Sequence, residues 1–174
     1  MERILIIGGN GSGKTTFSRD LSEKTGLPLV HLDSLYWGDN WEPVPREVFD
    51  ASLTDELKKP QWILDGNMRR TFPHRIKYCD TVIYLDFPSI VCFFGALRRL
   101  ITYHGKSRPD MGANCVERFD KRSFSFLTSI FWFNRKNRKY FYDTIAGEDG
   151  VKLIVFKNRR QVKHFLNTYN KGLR

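Results

Sequence analysis

The chain is 174 residues long with 29 Lys/Arg against 19 Asp/Glu, a formal charge of +10. That length suits one domain and leaves no room for a second effector domain beside a nucleotide-binding fold. Three scattered cysteines, Cys79, Cys92 and Cys115, lack C-x-x-C spacing, which argues against a disulfide or zinc framework and for reduced thiols in a cytoplasmic protein.

In chain order, Arg3–Ile7 is an apolar strand running into Gly8-Gly9-Asn10-Gly11-Ser12-Gly13-Lys14-Thr15-Thr16. Gly8 and Gly13-Lys14-Thr15 satisfy G-x-x-x-x-G-K-[ST] in full, between a strand and a helix as that motif requires. Backbone N–H groups from 8 to 16 are expected to cradle the phosphates of ATP, at the positive end of the helix from Lys14 to about Lys24. Lys14 is expected to reach the β- and γ-phosphates and Thr15 to ligate Mg²⁺.

After Gly26-Leu27-Pro28, a second strand is expected over Leu29–Leu32, ending at Asp33. A helix follows over Pro45–Leu57, then a short buried strand Gln61–Leu64 ending at Asp65-Gly66. Thr81–Leu85 reads as a fourth strand, Ile90–Tyr103 as a helix, and Lys152–Phe156 as a fifth strand before a helix from about Arg160 to Asn167. Strand and helix in alternation predict an α/β fold, a parallel sheet flanked by helices. Residues 104–120 lack apolar periodicity and read as a lid over the cleft. No apolar run approaches the roughly 20 residues of a membrane span, the glycine-rich loop follows Met1 too closely for a leader, and no membrane partner is expected.

Ligands of such sheets bind outside the carboxyl ends of the strands. Asp65 there is expected to hold Mg²⁺ through water, alongside Thr15. Asp86 also ends a strand and reads as a helix-entry residue. Asp33, ending the second strand, can orient a hydroxyl and accept its proton, whereas a phosphate acceptor would call for arginines. Arg69 and Arg70 are candidates to grip the acceptor, and Arg108 and Arg118 to close the lid and neutralise the transferred phosphoryl group. The four histidines lack metal-ligand spacing and read as structural.

Residues 1–66 carry 7 Lys/Arg against 11 Asp/Glu, and residues 67–174 carry 22 against 8. That basic second part suits a polyanion, and weak, non-specific nucleic-acid binding is expected of any such surface. Within it, Phe124, Phe126, Leu127, Ile130 and Phe131 recur at helical spacing and predict a core-facing helix with a basic outer side.

The phosphate loop, His31-Leu32-Asp33 with Tyr36-Trp37, Ile63–Asn67 with Arg69–Pro73, Tyr84–Pro88 and Arg108–Met111 together resemble adenylate-kinase-related P-loop proteins, in particular the DNA topology modulation group. The resemblance implies a five-stranded parallel sheet and an ATP-binding core with an arginine lid. His31–Tyr36 is similar to the segment of uridine-kinase-like enzymes whose aspartate activates a sugar hydroxyl. In nucleoside monophosphate kinases the Asp-Gly is followed by Phe-Pro-Arg or a near variant, where this chain has Asn67-Met68-Arg69. The expected activity is therefore an ATP/Mg²⁺-dependent small-molecule kinase acting on a nucleoside- or sugar-like hydroxyl. A nucleoside monophosphate kinase and a nucleic-acid-associated ATPase are the rivals, although nothing resembles a DNA-reading module.

Overall fold

A computed structural model describes residues 1–107 and 115–169, apart from the side chains of Arg122, Asn134 and Arg135. Five parallel strands form one sheet: β1 (Arg3–Gly8), β2 (Leu29–His31), β3 (Trp62–Asp65), β4 (Thr81–Leu85) and β5 (Lys152–Phe156), in the order β2-β3-β1-β4-β5. Parallel neighbours need crossovers, supplied here by α1 (Lys14–Thr25), α3 (Arg46–Leu57), α5 (Ser89–Thr102) and α6 (Lys121–Ala146), with α7 (Arg159–Thr168) closing the chain. Short helices α2 (Leu32–Tyr36) and α4 (Phe72–Arg75) follow β2 and β3.

β1, β3 and β4 are apolar on both faces because helices cover both. One core layer joins Ile4, Ile6, Phe17, Ile83 and Leu85 to α1, α5 and α7, and the other joins Leu5, Ile7, Leu64, Tyr84 and Phe141 to α3 and α6.

The order reverses beside β1, whose neighbours β3 and β4 feed chain to opposite sides, so the cleft opens at the end of β1. Two glycines bring the phosphate loop against α5. A Cβ on Gly11 would lie 2.1 Å from the Cys92 carbonyl oxygen, and one on Gly95 would lie 2.1 Å from the Gly11 carbonyl oxygen. Backbone packs on backbone there, and any side chain would force the loop off the helix.

Several elements differ from expectation. β2 stops at His31, and Asp33 sits in the first turn of α2, a single helical turn too short to show a period. The described ends of 104–120 are paired, with bridges His104–Glu117 and Ser107–Val116. α6 runs for 26 residues, with Leu127, Ile130, Phe141 and Ile145 buried, while Phe124 and Phe131 are exposed rather than core-facing.

Candidate active site

A cleft of about 1230 Å³ lies at the carboxyl ends of β1, β2 and β3. Asn10–Thr16, Asp33 and Asp65 all line it, so the structure brings the predicted phosphate cradle, metal pair and acceptor carboxylate to one place. Gly11 and Gly13 take φ of +83° and +94°, which turns the loop backbone tightly ahead of α1. Ser12 is buried, and its Oγ has no hydrogen-bond partner among the described residues, an orphan that suits a phosphate oxygen.

Lys14 Nζ donates to the carbonyl oxygens of Gly8 (2.8 Å) and Gly9 (3.1 Å). Burial pushes its ammonium below the usual lysine range, while the Asp65 and Asp33 carboxylates act in the opposite sense. The cation is thus held ready with partial desolvation, in the field of the two acids expected to act on metal and acceptor.

Asp65 is almost completely buried and accepts from Ser18 Oγ (3.0 Å) through Oδ2, while His31 Nδ1 lies 2.8 Å from Oδ1. Those two contacts fix both carboxylate oxygens at the cleft that Thr15 also lines. No group of three or more His, Cys, Asp or Glu side chains is gathered as in a protein-held metal centre among the described residues. The hard oxygens of Asp65 and Thr15 fit Mg²⁺, which binds one or two protein oxygens and completes its octahedron with water and phosphate.

No family model matches the chain. Over 98 residues, 48% of the chain and 56% of the relative, it is 33% identical to a shikimate kinase from Dehalococcoides mccartyi. The chain therefore spans little more than half the length of that relative. Among solved structures it is similar to shikimate kinase from Bacteroides thetaiotaomicron, with a TM-score of 0.55 and 17% identity over 95% of this chain and 94% of that one. At that identity the likeness establishes the fold. The chain has a P-loop kinase-like α/β fold.

Arg69 and Arg70 do not reach the cleft. They lie in a short 3₁₀ turn leading into α4, and that turn aims them sideways: Arg69 stacks over the Tyr140 ring at 4.0 Å, and Arg70 forms a two-pronged ion pair with Asp50 at 2.7 and 2.9 Å. Arg118 is exposed and does not line the cleft; its carbonyl accepts from Ser123 Oγ. Arg108 lies outside the described residues. Asp86 is not a helix cap. Pro88 occupies that position, and the Asp86 carboxylate is bound by Lys157, by Arg138 (2.8 Å) and by Tyr142 (3.0 Å).

The structure adds residues that the sequence did not single out. Arg98, Arg99, Arg159 and Lys163 line the cleft on the α5 and α7 side and give it the cations expected of the lid. Asn67 clamps the start of the phosphate loop, accepting from Gly8 N–H (3.0 Å) and donating to Gly8 C=O (2.7 Å). Arg75 lies fully buried beneath it and donates to the carbonyls of Gly66, Asn67 and Met68 at 3.0–3.1 Å. Burial pushes the Arg75 guanidinium down to about 10. An arginine three residues after Thr71-Phe72 carries no sequence signal apart from its charge, and a buried one reads like any surface cation.

Proposed function

We propose that the chain is an ATP- and Mg²⁺-dependent phosphotransferase acting on a hydroxyl of a nucleoside- or sugar-like small molecule. The observation that carries this reading is that Lys14 in the phosphate loop and the Asp33 carboxylate line one cleft, while Arg69 and Arg70, the residues expected to grip an anionic acceptor, are engaged with Tyr140 and Asp50. The partial identity to a shikimate kinase, named for a small hydroxylated acceptor, supports the same class.

In this mechanism the loop amides and Lys14 bind and orient the triphosphate, and the positive end of α1 favours the charge that accumulates on it. Thr15 and Asp65 would hold Mg²⁺, whose charge, when bound, offsets that of the phosphate oxygens. Asp33 Oδ orients the acceptor hydroxyl and takes its proton as the oxygen attacks. Arg98 and Arg99 on α5 and Arg159 on α7 face the same space and neutralise charge on the transferred group, with residues 104–120 acting as the lid that excludes water.

The resemblance to the DNA topology modulation group leaves a nucleic-acid-linked ATPase as the rival. It is disfavoured because Arg138 and Lys139, in the most basic part of α6, are each paired with a carboxylate of the chain, Asp86 and Asp143. The test is an acceptor screen by ATP consumption against nucleosides, sugars, hydroxy acids and nucleoside monophosphates, run beside Asp33→Asn. A hydroxyl acceptor should raise turnover, and Asp33→Asn should cut kcat about 100-fold with ATP affinity unchanged. Stimulation by a monophosphate, with Asp33→Asn as fast as the parent, would replace this reading.

A further inference from the structure

Away from the cleft, α5 and α6 expose a continuous apolar face. On α5, Ile90, Phe94 and Ile101 share one stripe and are 51%, 60% and 60% exposed, with partly buried Leu97 between them. On α6, Phe124, Phe131 and Trp132 are 71%, 44% and 56% exposed. The two helices run antiparallel, as the contacts Asp86–Arg138, Phe93–Phe131 and Arg99–Phe126 require. Phe93 joins the stripes, its ring centroid 5.6 Å from that of Phe94 and 5.2 Å from that of Phe131.

We propose that this face is the interface of a two-fold homodimer, in which α5 and α6 of one protomer pack against α5 and α6 of a second copy. Three observations support a second copy as the occupant. The first is area: at roughly 200 Å² per large side chain, the exposed fractions of the six residues leave on the order of 700 Å² of apolar surface. That is at or above the largest patch on most monomers, about 300–600 Å², and near the roughly 800 Å² per partner of a stable interface.

The second is charge. In a chain of +10, the stretches 89–97 and 123–133 contain no charged residue, so the centre of this face brings no cation between two like-charged copies, with Arg98, Lys121 and Lys136 at its rim. Nucleic acid would need cations among the stacking rings, and the two stretches hold none. The third is polar satisfaction. Thr128 and Ser129, the hydroxyl residues between the exposed rings, already donate to the Ser125 and Phe126 carbonyls at 2.9 and 2.7 Å, so covering them leaves no hydroxyl donor unpaired. Because a two-fold axis repeats the same patch on both sides, one apolar face supplies the whole interface.

Sedimentation velocity of the full chain tests this. The parent at micromolar concentration should sediment at twice 20.5 kDa and remain so at high salt, since apolar association is not screened. Phe94→Asp and Phe131→Asp should each sediment as monomers, with circular dichroism and ATP binding equal to the parent. Lys58→Asp, the same acidic side chain at the exposed residue that caps the C-terminal end of α3, should stay dimeric. A parent that is monomeric at every concentration, or a dimer indifferent to both Phe substitutions, overturns the proposal. So does a species that dissociates at high salt or on nuclease treatment, which would indicate nucleic acid. A monomer that co-sediments with phosphatidylcholine–phosphatidylserine vesicles would assign the face to membrane instead.

Discussion

The two ends of the sheet treat buried charge differently. At the amino ends, Asp80 sits where β1, β4 and β5 begin; its carboxylate accepts from the amides of Glu2 (2.7 Å) and Arg3 (2.9 Å) and from Thr81 Oγ1 (2.7 Å), so its charge is fully used inside the protein. At the carboxyl ends, Lys14 and Arg75 are cations whose hydrogen bonds among the described residues go to neutral carbonyls. Charge held that way is costly in the empty protein, and at Lys14, which lines the cleft, it is compensated when an anion arrives. The amino end is therefore built for stability and the carboxyl end for binding. Substitutions at the two ends should separate stability from activity.

The largest effect belongs to Lys14. Lys14→Met keeps the aliphatic stem but removes the cation, and it should abolish ATP turnover, since stabilisation of the transferred phosphoryl charge is worth several kcal/mol. Its melting temperature should equal or exceed that of the parent, because a partly desolvated charge is gone. A variant that turns over ATP normally would remove the phosphotransferase reading altogether. One that melts far lower would show that the carboxyl end is also built for stability.

Arg75 comes next and tests where the comparison bends. Arg75→Leu leaves three carbonyls facing an apolar side chain and should destabilise the fold by roughly 3 kcal/mol, read as a shift in denaturant midpoint. The surviving folded fraction should also bind ATP more weakly, because the 66–68 loop carries Asn67. If stability falls and ATP affinity does not, Arg75 belongs with Asp80 as a purely structural charge.

Much of this division was legible in the sequence, and the omissions have physical causes. β4 and β5 match their apolar runs residue for residue, and the phosphate loop announces itself by glycine spacing, because both signals are local. Asp65 was placed by the rule that strand ends in a parallel sheet face the ligand, and Asp33, expected at a strand end, lines the same cleft from the first turn of α2. The arginines were not. Whether Arg69 faces acceptor or Tyr140, and whether Arg75 is buried, depends on α3 and α6, which reach them from distant parts of the chain. α6 was misjudged in the same way: the period of its aromatic residues is helical, but Phe124 and Phe131 point away from the core that Leu127 and Ile130 fill.

A smaller effect is expected at Asn67. Asn67→Ala removes both hydrogen bonds to Gly8 and should lower ATP affinity about 10-fold, by letting the first turn of the loop relax from its binding shape. The thermal midpoint should move little, since solvent can replace the lost partners at a half-buried site. Calorimetric titration with ATP and Mg²⁺ reads this directly, and an unchanged affinity would show that the glycines alone hold the loop.

The smallest effect is at Asp80 and should run opposite to that at Lys14. Partial burial works against the charged form, yet the Thr81 hydroxyl and the amides of Glu2 and Arg3 outweigh it, and the carboxyl sits below its usual range. A carboxyl depressed by folding contributes stability that is fully present above the unfolded pKa, about 3.9, and is lost as pH falls through the lower folded value. Asp80→Asn leaves one acceptor oxygen for the two amides, turns an NH2 toward Thr81 Oγ1 and removes the charge from these bonds, and should cost about 1 kcal/mol at neutral pH with ATP turnover intact. The gap between parent and variant should narrow as pH drops below about 4, where the parent carboxylate itself becomes protonated. Denaturant unfolding across pH checks both the size and the direction. A gap that widens in acid would mean that Asp80 is not held as a carboxylate, and the contrast between the two ends of the sheet would lose its amino-terminal half.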